Sequence, residues 1–108
     1  MIAGFGTILD AVPASFPRLV DQEPADPGSG PTSGTFAVKL SADAASSSMR
    51  TALENRGWTV DMGSPLEDGT IVLDATGPTA GCKAEVRFTP EGATLVVAVL
   101  YGASCPTT

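Results

Sequence analysis

Two long runs of strand-forming residues flank Pro90-Glu91-Gly92, and a chain built this way has little choice but to make an antiparallel hairpin there. The runs, 82–89 and 93–101, are rich in β-branched and aromatic residues. The three residues between them fit a type I turn whose Gly92 takes the left-handed conformation in a bulge. Pairing Thr89 with Ala93 sets Phe88, Val86, Ala84 and Cys82 beside Thr94, Val96, Ala98 and Leu100, and this face is expected to be core, under a helix. The opposite face then holds Lys83, Glu85 and Arg87 next to Leu95, Val97, Val99 and Tyr101. An apolar stripe beside a charged one needs a cover, because contiguous exposed apolar patches are uncommon on monomers. Leu95, Val97, Val99 and Tyr101 are therefore the candidate interaction surface. Three covers are open: the N-terminal arm through Phe5, Ile8, Leu9 and Phe16, a second copy of the chain, or a partner or ligand.

Upstream of the hairpin the periodicity supplies the rest of a sheet and one helix. Phe36, Val38 and Leu40 alternate with Ala37, Lys39 and Ser41, the period of a half-buried strand. A helix follows, starting at Ser41 or Asp43, with Ala45, Met49, Ala52, Leu53 and the stem of Arg56 on one face and Gly57 as its stop. Its three serines weaken its intrinsic propensity, so packing must hold it. Trp58, Val60 and Met62 alternate in a second strand, and Ile71, Leu73 and Ala75 line a third. Trp58 is expected to plug the junction of helix and sheet. The fold class is α+β: one helix on a mainly antiparallel sheet of about five strands, β-α-β-β-β-β, with strand order undetermined. Before it, residues 1–33 read as an N-terminal arm and linker, with residues 34–108 as the α+β domain. Pro13, Pro17, Pro24, Pro27 and Pro31 exclude a continuous helix or a central strand from the arm, and residues 23–33 read as a mobile loop.

Composition narrows the chemistry. At 108 residues with 43% hydrophobic and 17% charged, the chain is sized for one globular domain. Six basic residues against twelve acidic give a net charge of -6, and the basic ones are scattered, which argues against nucleic acid as a partner. The chain contains no histidine, the commonest general base and metal ligand. Serine triads lose their middle member, and neither a catalytic centre, a metal nor a cofactor is expected. Glu67 and Asp68 with Asp61 and Asp74 are the one carboxylate group expected to converge, read as a solvated acidic loop because the spacing of a calcium loop is absent. The glycine-rich loops lack the lysine of a phosphate-binding loop. No run approaches the roughly 20 apolar residues of a membrane span. Cys82 and Cys105, an even count in a small domain, are expected to form a disulfide, which implies an oxidising compartment.

Two short segments carry a resemblance: Val12-Pro-Ala-Ser-Phe-Pro17, and Ala52-Leu-Glu-Asn-Arg-Gly-Trp-Thr-Val60 at the end of the helix. The chain is similar in these to small uncharacterised exported proteins and lipoproteins of GC-rich bacteria. The resemblance implies a location outside the cytoplasm and no particular activity. The expectation is a non-enzymatic extracytoplasmic binding or interaction domain with a protein or cell-envelope partner. The alternative is an acidic inhibitor or immunity-type protein that masks a basic partner.

Overall fold

The computed structural model describes residues 16–17, 19, 22–25, 33–77 and 81–102. Its elements in chain order are β1 (Glu23–Pro24), β2 (Gly34–Val38), α1 (Ala42–Glu54), β3 (Thr59–Met62), β4 (Ile71–Thr76), β5 (Lys83–Glu91) and β6 (Thr94–Tyr101). The strands form one six-stranded sheet in the order β1-β2-β6-β5-β4-β3, with every neighbouring pair antiparallel. β2 and β3 therefore run the same way with three strands between them, and α1 makes the crossing. It packs on β3, β4 and β5. A helix on a mainly antiparallel sheet is the expected α+β layout, with one strand more than expected.

The extra strand is β1. Residues 23–33 begin with Glu23 and Pro24 paired to Ala37 and Phe36, and the Ala25 N–H donates to the Thr35 carbonyl at 2.9 Å, so the loop expected there opens with a strand. The proline density is respected all the same, because Pro24 sits on an edge strand, where a missing N–H is tolerated.

The helix ends follow from local chemistry. Ser41 caps the N-terminus, its hydroxyl accepting from the Ala44 N–H at 3.1 Å. At the other end Gly57 adopts φ 88°, and the Trp58 N–H reaches the Leu53 carbonyl at 3.1 Å while the Gly57 N–H reaches that of Glu54. These two bonds make a Schellman stop, which only a residue tolerant of the left-handed region completes without strain. Ala45, Ser46, Met49 and Leu53 form the buried stripe. Arg56 is exposed and donates to the Ala52 carbonyl, so its stem is not part of that stripe.

The hairpin carries the main correction. Gly92 is left-handed, at φ 62°, but the loop is the two residues Gly92 and Ala93, closed by Glu91 opposite Thr94. Phe88 then faces Val97, Val86 faces Val99 and Ala84 faces Tyr101. Relative to a Thr89 to Ala93 pairing this is an odd shift in register, and an odd shift moves every side chain of one strand to the other face. Leu95, Val97, Val99 and Tyr101 therefore lie on the helix side, in one cluster with Ala84, Val86, Phe88, Leu73 and Val38. Both strands now agree on which face is dry. Thr94, Val96, Ala98 and Leu100, expected in the core, share the opposite face with Lys83, Glu85, Arg87 and Thr89.

Candidate functional site

The surface expected at Leu95, Val97, Val99 and Tyr101 is interior, with exposures of 2%, 1%, 1% and 3%. Of the covers considered, part of the arm is in place: Phe16 and Leu19 belong to the core cluster. The Phe16 ring meets Tyr101 edge-on, with centroids 5.5 Å apart, and meets Trp58 edge-on at 6.4 Å. Trp58 is half-buried at the helix exit and packs against the cluster, as its plug role requires. A Cβ on Gly77 would run into Cys82 and the Trp58 ring, which explains a residue without a side chain at the end of β4. Phe5, Ile8 and Leu9 lie outside the described residues.

The cysteine expectation is also corrected. Cys82 is wholly buried and is not a free thiol, yet it is the one cysteine among the described residues, and no close Sγ–Sγ pair occurs among them. Cys105 falls outside. Among the described residues, then, the expected Cys82–Cys105 disulfide is not found.

What remains for a partner is the other face of the sheet, on which no helix packs among the described residues. The observed registers lay it out in rows across the strands. Thr35, Ala98, Arg87 and Val72 form one row. Ala37, Val96, Thr89 and Thr70 form the next, with the Thr70 and Thr89 hydroxyls 3.1 Å apart. Leu100, Glu85, Asp74 and Asp61 form a third. Ala37, Val96 and Ala98 are half-buried, an aliphatic strip on β2 and β6, and Val72 of β4 is half-buried on the far side of Arg87 and Thr89 of β5. Beside it stand three carboxylates on adjacent strands. Glu85 is engaged by Arg87 at 2.8 Å, whereas among the described residues neither Asp61 nor Asp74 has an ion-pair partner.

The carboxylates expected to converge do so only in part. Asp61 and Asp74 are cross-strand neighbours. Glu67 and Asp68 sit in the β3–β4 loop, where the Asp68 carboxylate accepts the Thr70 N–H at 2.9 Å. That bond to the charged form holds Asp68 below the ordinary carboxylate range. At the other end of the range, burial pushes the Tyr101 phenol up. Among the described residues no group of three or more metal-ligating side chains is arranged around a common point, and no helix is long and apolar enough to cross a membrane.

A depression of about 560 Å³ opens beside β1 between Gln22, Glu23, Ala37, Val38, Lys39 and Thr94. It brings one carboxylate and one ammonium to the same rim. It holds no nucleophile with a base beside it.

Sequence reasoning missed Ser33 altogether. Its buried hydroxyl accepts the Tyr101 N–H at 2.9 Å and donates to the Tyr101 carbonyl at 3.4 Å, extending the β2–β6 ladder by a side chain just before β2 begins. A serine in a proline- and glycine-rich stretch gives no signal of this, because its partner is 68 positions away. Compared with models of protein families, with curated proteins and with solved structures, the chain matches none.

Proposed function

We propose that this chain is a non-enzymatic binding domain that works outside the cytoplasm by docking the helix-free face of its sheet on a protein partner. The observation that carries the reading is the presence on that face of a half-buried aliphatic strip, Ala37, Val96 and Ala98, together with the acidic row Asp61, Asp74 and Glu85. Apolar area supplies affinity on association, and a neighbouring charge row supplies orientation and partner choice. The location rests on the resemblance of residues 12–17 and 52–60 to exported bacterial proteins. The acidic row also favours a second reading, an inhibitor or immunity-type protein whose partner is basic.

A photo-cross-linking residue placed at Ala98, in the strip, and separately at Ser48, on the exposed side of α1, tests this in producing cells. The expected result is one discrete adduct from Ala98 and none from Ser48, recovered in the envelope or secreted fraction. No adduct from Ala98, or equal adducts from both positions, overturns the docking face. An adduct confined to the cytoplasmic fraction overturns the location.

A further inference from the structure

We infer that the outer edge of β3 accepts an added strand from the partner, an extended segment carrying a lysine or arginine between two apolar residues. The inference rests on the binding reading above and names how part of the partner is held. It starts from which backbone groups point where. The Gly63 N–H donates to the Val72 carbonyl at 3.3 Å, which fixes the phase of the β3–β4 ladder. Asp61 and Asp74, like Thr59 and Thr76, are then the pairs that exchange bonds, because bonded and non-bonded pairs alternate along an antiparallel ladder. Val60 and Met62 therefore aim their N–H and C=O groups away from the sheet. β3 is the last strand, and among the described residues nothing pairs with that side. Two residues of strand rise separate Val60 from Met62, roughly 7 Å, the repeat that an added antiparallel strand requires.

The side chains say what the added strand must carry. Val60 is buried on the helix side and Met62 half-buried beside it, so residues opposite them meet apolar surface. Thr59 and Asp61 are exposed on the other side. Asp61 is the outermost of the three carboxylates, and on its free side it would belong to a non-bonded pair, in which facing side chains approach most closely. A second copy of this chain fails there. Pairing β3 with itself about Asp61 sets Asp61 against its own copy and doubles the acidic row, between molecules that each carry a net charge of -6. A basic residue flanked by apolar ones satisfies both sides of the edge, and the short length of β3 with its charge at the centre guards against other strands.

Amide hydrogen exchange read by NMR tests this on the whole chain. In the free protein the Val60 and Met62 amides are expected to exchange much faster than the Asp61 amide. The probe is a capped Thr-Val-Lys-Val-Thr peptide, with Thr-Val-Glu-Val-Thr as its counterpart. The lysine peptide should slow exchange at Val60 and Met62 and bind at least tenfold more tightly than the glutamate peptide. In Asp61→Lys, an exposed substitution, that preference should reverse. The inference is overturned if neither peptide protects these amides, or if the preference ignores the charge at position 61. It is also overturned if the amides become protected in the free protein as its concentration rises, which identifies a second copy as the occupant. A discrete adduct from Ala98 alongside a silent edge removes this inference alone, whereas loss of that adduct removes the binding reading itself.

Discussion

The hairpin register can be tested with two threonines. Val96 and Val97 are neighbours in β6, but Val97 is 1% exposed between Phe36 and Phe88, while Val96 is half-buried between Ala37 and Thr89 on the other face. Valine to threonine keeps the shape and the β-branching and exchanges one methyl group for a hydroxyl, so strand preference is nearly unchanged at both sites. At position 97 the change removes buried apolar area and places a hydroxyl among aromatic and aliphatic side chains, a cost of about 1–3 kcal/mol by comparison with other buried polar groups. At position 96 the hydroxyl reaches water, and the expected change is within about 0.5 kcal/mol. Urea unfolding followed by tryptophan fluorescence reads the difference. With slopes of about 1–3 kcal/mol per molar for domains of this size, Val97→Thr should lower the midpoint by roughly 1 M and Val96→Thr should barely move it. Equal midpoints refute the argument. So does the reverse order, which is what a Thr89 to Ala93 pairing requires, since Val96 would then face the core.

Ser33→Ala removes the acceptor of the Tyr101 N–H and the donor to its carbonyl in a buried setting, and should cost about 1–3 kcal/mol in the same unfolding assay; a loss under about 0.5 kcal/mol would show that the side-chain rung is dispensable. Asp68 has a folded pKa below its ordinary 3.8, so its ionised form contributes stability above that value and the contribution is lost as pH falls through the lower folded value. Asp68→Asn, which keeps an acceptor for the Thr70 N–H, should flatten the acid limb of a stability-against-pH curve below about pH 4, and an unchanged limb would assign the acid sensitivity to other carboxylates.

The helix was legible because its signals are local. Ser41, the spacing of Ala45, Met49 and Leu53, and Gly57 each act within a turn or two of chain, and the observed caps use those same residues. The strands at Val60, Leu73 and Phe88 were legible by the same standard, since alternation is a property of neighbours. What sequence distance concealed was partnership. Glu23 and Pro24 are too few to show a period, and they become a strand only because β2 offers an edge. Ser33 acquires its meaning from Tyr101.

The hairpin is a different kind of error, because the means of correcting it were in the sequence. Pro90 and Gly92 are compatible with more than one loop, and Pro90 stands in β5 opposite Leu95 instead of opening the turn. Turn chemistry alone left the register ambiguous by an odd number of residues, the very ambiguity that exchanges faces. The trial register set Lys83, Glu85 and Arg87 beside Leu95, Val97, Val99 and Tyr101, a face wet on one strand and dry on the next. Such a conflict calls for a cover or for a different register, and hydrophobic pattern ought to outrank turn type where the two disagree, because an entire core face weighs more than one loop. The observed register removes the conflict by putting the apolar residues of both strands on one face, which the arm residues Phe16 and Leu19 help to cover. It also changes where function is sought: the apolar residues of β6 are taken up in the core cluster with Phe16 and Leu19, and the face left for a partner is the one that Glu85, Asp74 and Asp61 mark with charge.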